Sequence, residues 1–171
     1  MTQSGEHPEK LRVQAIGSFF TALLLVVILA IGVGWACRGW GTFSLGWLNP
    51  ALGSLLTLGG LALVIWSVSA QVTLGKGTPA PKVPTQRLVI QGPYAFSRNP
   101  MTLGALILYL GIGFGMGSGV VILLTLVVVS TLLTFIYFHE TRELTERFGE
   151  AYLEYQRRTP FLLPCLKRHS G

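Results

Sequence analysis

The sequence predicts an all-α integral membrane protein with about four transmembrane helices, a cytoplasmic proline-rich loop and a C-terminal amphipathic helix. Three observations carry that prediction. Half of the 171 residues are hydrophobic and only 12% are charged, with a mean hydropathy of +0.56. A soluble core of this size could not hide so much apolar surface, so a bilayer must act as solvent. The charges leave long gaps, with none between Arg12 and Arg38, between Arg38 and Lys76, or from Asn99 to Phe138. The basic residues are also partitioned by those gaps.

Each span follows from the ~20 apolar residues a helix needs to cross ~30 Å of hydrocarbon. The run IGSFFTALLLVVILAIGVGWA gives a first span over about 14–36. It is long for the apolar core of a cleaved signal peptide, and no small-residue cleavage site follows it. The second span covers about 51–72, with Asn49-Pro50 as its expected N-cap and first helical residue. The third gap divides at the glycines between Gly111 and Gly119 into spans over about 101–115 and 119–138. The former is short for a crossing. Those glycines lack the G-x-G-x-x-G spacing and preceding strand of a dinucleotide site. Gly111, Gly115 and Gly119 instead have the small-x-x-x-small spacing of close helix contact.

The loop over 74–100 holds Pro79, Pro81, Pro84 and Pro93, which exclude a regular helix. Its length points to function, and its apolar triplet Leu88-Val89-Ile90 should pack on something. The 37–50 connection carries Trp40 and Trp47, rings that favour headgroup level. A helix over 140–158 has Leu144, Phe148, Ala151, Tyr152 and Tyr155 on one stripe. Glu143 with Arg147 and Glu154 with Arg158 add i,i+4 pairs on its wet side. Pro160 ends it, and residues 161–164 should pack back under the core. The whole chain, 1–171, is read as one membrane-embedded domain.

Twelve of the 13 basic residues fall before span one, between spans two and three, or after span four, leaving Arg38 alone opposite. The positive-inside rule therefore puts both termini and the 74–100 loop in the cytoplasm. A nucleic-acid patch would not need this partition, so the net charge of +6 is read as topology, helped by anionic lipid headgroups. Cys37 and Cys165 fall on opposite faces, have no metal-ligand spacing, and suggest neither a disulfide nor a metal site.

Two motifs remain. Leu88 to Gly104 reads LVIQGPYAFSRNPMTLG, and Glu140 to Pro164 reads ETRELTERFGEAYLEYQRRTPFLLP. Together they resemble the integral-membrane methyltransferases typified by isoprenylcysteine carboxyl methyltransferase and the phospholipid N-methyltransferases. The first matches G-x-Y-x-x-x-R-[HN]-P, and the second matches the acidic, F-G-x-x-Y-x-x-Y and proline positions. The resemblance covers about the C-terminal half and implies S-adenosylmethionine as methyl donor. The implied acceptor is lipophilic, an isoprenylcysteine-like amphiphile or an aminophospholipid, met at the cytoplasmic leaflet.

Carried onto this sequence, the resemblance assigns Gly92, Pro93 and Tyr94 to a turn that approaches the cofactor, and Leu88 and Val89 to an apolar adenine wall. Arg98 would hold the donor's carboxylate, and Asn99 would donate to carboxylate or ribose. Pro100 would start span three, and Gly104 would clear space one turn later. Glu140 would balance Arg98, hold the donor's ammonium, or act near the acceptor. Arg98 and Glu140 are the residues expected to carry catalysis. Plainer roles compete: headgroup anchor for Arg98, packing for Gly104, exposed helix-end carboxylate for Glu140. His139 is a candidate base because an unperturbed imidazole changes charge near neutrality, against an inert histidine at headgroup level.

The departures are Thr102, in place of the usual tyrosine, and Thr141, in place of a second glutamate. Ile136-Tyr137-Phe138-His139 also lacks the arginine that the carboxyl methyltransferases carry before the acidic pair. Losing it weakens carboxyl methylation specifically, because an amine acceptor needs proton removal rather than charge positioning. Two other classes of function stay open: a non-catalytic membrane scaffold that keeps the pocket, and an NADPH-dependent reductase related to the sterol reductases.

Overall fold

The computed structural model describes residues 8–75 and 86–163. Six α-helices follow in order: α1 (Pro8–Ala36), α2 (Leu48–Thr73), α3 (Pro100–Gly115), α4 (Gly119–Phe135), α5 (Thr141–Phe148) and α6 (Glu150–Arg158). A 3-10 turn, Gly92–Ala95, precedes α3, and a π-helical turn, Ile136–Glu140, joins α4 to α5. Three stretches are long and apolar enough to cross a membrane: Glu9–Ala36, Leu48–Thr73 and Gly119–Phe148. The fourth apolar helix, α3, has 16 residues and is about 24 Å long at 1.5 Å per residue. That is short of the hydrocarbon thickness, as its sequence suggested.

Glycine brings α2 and α3 together backbone to backbone, antiparallel. A Cβ on Gly53 would lie 2.4 Å from the Gly115 Cα, and one on Gly111 2.4 Å from the Thr57 N. A Cβ on Gly60 would lie 2.4 Å from the Leu108 N, and one on Gly104 2.9 Å from the Val64 N. No real Cβ tolerates such distances, so the interface exists only because these positions lack one. Gly111 and Gly115 thus fulfil the close-contact expectation against α2. Gly119 instead packs on the 37–47 connection, its N–H donating to the Gly41 carbonyl at 2.9 Å.

That connection seals the end of the bundle at the α3–α4 turn. Phe43 N–H donates to the Gly117 carbonyl at 2.9 Å, and Thr42 bridges Ser118. Asn49 does not cap α2, which begins one residue earlier, at Leu48. Its buried carboxamide donates Nδ2–H to the Phe114 carbonyl at 2.7 Å and accepts from Leu45 N–H. A cross-helix bond satisfies a buried amide better than a local cap would, which explains the difference. Trp40 and Trp47 are exposed, 79% and 76%.

At the other end the expected single helix over 140–158 is two helices. Gly149 adopts φ +55° between α5 and α6, a region that side chains rarely enter. The pairs Glu143–Arg147 and Glu154–Arg158 form as the spacing predicted, joined by Arg142–Glu146. Pro79, Pro81, Pro84, Pro164 and Cys165 lie outside the described residues.

Candidate functional site

The segment before α3 is fixed from three sides. Gly92 takes φ +62°, which lets Pro93 and Tyr94 turn inward, where both are buried. Val89, Ala70 and Tyr94 form one buried cluster, so part of the apolar triplet packs on α2 as expected. Ile90 remains 50% exposed. From α6, Tyr155 Oη–H donates to the Tyr94 carbonyl at 2.7 Å. Burial pushes the Tyr155 hydroxyl pKa up, the Arg98 charge works against this, and Tyr152 adds to it. Tyr155 therefore stays a neutral donor at physiological pH.

The C-terminal segment closes beneath this turn. Arg98 N–H donates to the Pro160 carbonyl at 2.9 Å, and Asn99 Nδ2–H donates to the Phe161 carbonyl at 3.0 Å. The Arg98 guanidinium sits 5.4 Å from the Phe161 ring centroid, within cation–π range. Its Nη1 reaches the Tyr152 hydroxyl at a long 3.5 Å. Residues 160–163 therefore do fold back under the core.

Two cavities meet at this turn. The larger, about 700 Å³, runs between α1, α3 and α4, with Phe19 and Val33 marking its extent along α1. Fourteen residues of helix correspond to about 21 Å, so this chamber is a long slot. Tyr109, whose hydroxyl donates to the Leu23 carbonyl at 3.3 Å, crosses it. The smaller, about 60 Å³, lies between Leu88, Val89, Thr141, Tyr152 and Phe161. Five residues line both: Gln71, Tyr94, Arg98, Asn99 and Ile136. They form a neck between an apolar slot and a small polar pocket. Two buried polar atoms there have no hydrogen-bond partner among the described residues, Arg98 Nε and Gln71 Oε1.

Of the ten site residues expected from sequence, Tyr94, Arg98 and Asn99 stand at this neck. Leu88 and Val89 wall the small chamber, and Pro100 walls the large one. Gly92, Pro93 and Gly104 line neither. Gly92 and Pro93 shape the turn, and Gly104 is a contact point with α2, the plainer of its two roles. The side chain of Glu140 lies outside the described residues, and its backbone ends the π-helical turn. Such turns recur at functional sites. His139 is exposed, stacked 4.5 Å from the Phe135 ring, and lines neither chamber. Thr102 and Thr141, the two departures from the motif, line the large and small chambers respectively.

Sequence reasoning passed over Gln71, and gave Tyr152 only a place on an apolar stripe. A signal for Gln71 was present, since it is the one carboxamide in the half of α2 nearest the motif loop. Such a group is costly in an apolar helix unless something uses it.

Residues 48–151 match the phospholipid methyltransferase family model, more than half of the chain. The chain belongs to the phospholipid methyltransferase family. It is a membrane methyltransferase, and the match runs from α2 through the first motif and the opening of the second, to the start of α6. Comparison with curated proteins and with solved structures finds no match. In this methyltransferase α1, which walls one side of the large slot, and the Tyr152, Tyr155 and Phe161 cluster lie outside the matched residues.

Proposed function

We propose that this methyltransferase moves the methyl group of S-adenosylmethionine to a nucleophile carried by a lipid at the cytoplasmic leaflet. The observation that carries the proposal is the neck, where one half-buried cationic side chain, Arg98, stands between a long apolar slot and a small pocket of mixed polarity. Arg98 Nε is a buried donor with no partner, and a carboxylate or phosphate oxygen would satisfy it strongly. The residues fit the amino-acid end of the donor: Arg98 and Asn99 for its carboxylate, with Leu88 and Val89 as an apolar wall. The small chamber, about 60 Å³, takes only the amino-acid end of the donor, and it opens through the neck into the larger slot.

When bound, the sulfonium supplies a methyl carbon that an in-line nucleophile displaces, the S–C electron pair passing to sulfur. The protein's own contribution is alignment and exclusion of water. The neck aligns the two reactants because Tyr94, Arg98 and Asn99 are each tied to the C-terminal segment. The apolar slot brings the acceptor by its tail and keeps water from the reacting atoms. Either acceptor class fits this scheme, an aminophospholipid or an isoprenylcysteine-like amphiphile. Glu140, adjacent in sequence to Thr141 of the small chamber, is proposed to act near the acceptor or the donor's ammonium. The basic residues around the motif loop support a cytoplasmic position for this end.

The test is calorimetric binding of S-adenosylhomocysteine to detergent-purified protein, with Arg98→Ala and Glu140→Ala alongside. Losing one charge-assisted hydrogen bond lowers affinity about ten- to hundredfold. The expected result is saturable binding, weakened to that extent in Arg98→Ala. No binding by well-folded wild type in nanodiscs contradicts the proposal, and binding without transfer to any lipid would favour a non-catalytic scaffold.

A further inference from the structure

Gln71 stands near the end of α2, two residues before the helix finishes at Thr73. Its Oε1 is turned into the protein, buried and without a hydrogen-bond partner among the described residues. A buried acceptor left unpaired destabilises the fold, and an apolar residue of the same length would avoid that penalty. The orphan is not alone. Arg98 Nε, an unpaired donor, lines the same two cavities. The neck thus presents one acceptor and one cationic donor that do not satisfy each other.

Resting on the proposed methyl transfer, we infer that Gln71 binds ligand at the neck, its Oε1 accepting a hydrogen bond from an amine or ammonium N–H. Paired with Arg98, it suits a group that carries N–H and an anionic oxygen close together. Two sources offer that chemistry: the amino-acid end of the methyl donor and the headgroup of an aminophospholipid. A neutral amide is suited to this place. A glutamate there would attract the N–H group more strongly, but it would also neutralise Arg98 and weaken its hold on the anionic oxygen.

The test compares wild type with Gln71→Leu in nanodiscs. Removing an unpaired acceptor leaves the ligand-free protein's thermal midpoint equal or higher, the reverse of what a structural role would give. Affinity for S-adenosylhomocysteine is measured beside that for 5′-methylthioadenosine, which lacks the amino-acid end. The KM for phosphatidylethanolamine in methyl transfer is measured in the same preparations. A fall of about tenfold in the first affinity alone assigns Gln71 to the donor's ammonium. An unchanged affinity with a KM raised to the same extent assigns it to the acceptor amine. Equal losses for both nucleosides overturn the inference. So does unchanged nucleoside affinity with phosphatidylethanolamine either unused or used at the wild-type KM. Wild type that binds no S-adenosylhomocysteine overturns the methyl-transfer proposal itself, and this inference with it.

Discussion

Helix α3 has two unlike faces. Toward α2 it carries Gly104 and Gly111, and the backbones touch; toward α1 it carries Thr102, Ala105 and Tyr109, and an elongated slot of about 700 Å³ separates the helices. The same helix thus packs tightly on one side and loosely on the other. The chemical difference is the side chains facing each partner. Glycine on both α2 and α3 removes every atom between them, so van der Waals contact extends along the pair. Against α1 the facing residues do not interdigitate, and the gap is too large for a packed protein to leave unused. The α2–α3 pair is a tightly packed platform beside Arg98 and Gln71, while α1 forms the wall against which the proposed lipid acceptor would lay its tail.

The largest expected effect breaks the tight face. Gly60→Leu drives a side chain into the Leu108 and Gly104 backbones, costing about 3 kcal/mol or more, and should abolish recovery of folded protein by size-exclusion in detergent. The neighbouring Gly59→Ala is the control, because nothing lies within 4 Å of its added Cβ. Its thermal midpoint should match wild type. Equal damage from both would mean that the glycine contacts do not organise the bundle.

The loose face is tested by filling it. Ala105→Trp places a large ring in the slot and should raise the KM for long-chain acceptors about tenfold or more. Thermal stability should stay at or above wild type, since a cavity is filled. A smaller effect belongs to Tyr152→Phe, which removes the hydroxyl that accepts from Arg98 Nη1. S-adenosylhomocysteine affinity should fall only about threefold, in line with ~0.5–1 kcal/mol for a long hydrogen bond.

The smallest effect is on stability. Tyr155→Phe leaves the Tyr94 carbonyl without its 2.7 Å donor and should cost about 1 kcal/mol. The hydroxyl's folded-state pKa is raised by burial, so its contribution is complete below the ordinary value of ~10. That contribution is lost as pH rises further, because the unfolded chain ionises first. Alkaline destabilisation above pH ~10 should therefore be shallower in Tyr155→Phe, read from denaturant midpoints between pH 8 and 11.

The fold was legible where it depends on patterns of charge and hydropathy. The four apolar helices, the short third one and the i,i+4 ion pairs of α5 and α6 all follow from spacing. So was part of the site, because Tyr94, Arg98 and Asn99 sit in a motif whose residues share one turn. Three-dimensional accidents of register were not legible. Gly104 belongs to a helix interface because it happens to face Val64, while Gly149 divides a helix that periodicity alone would continue. Asn49 reads as a cap until Phe114, 65 residues away, supplies a better partner. Gln71 needs both cavities in view before its orphan oxygen has meaning.

The most direct test of the central claim is transfer of radiolabelled methyl from S-adenosylmethionine to lipid extract by nanodisc-embedded wild type and Arg98→Ala. The expected result is label in the organic phase with wild type, and at least tenfold less with the variant at equal folded protein. No lipid label with wild type, or equal labelling by both, would contradict a neck in which Arg98 aligns donor and lipid.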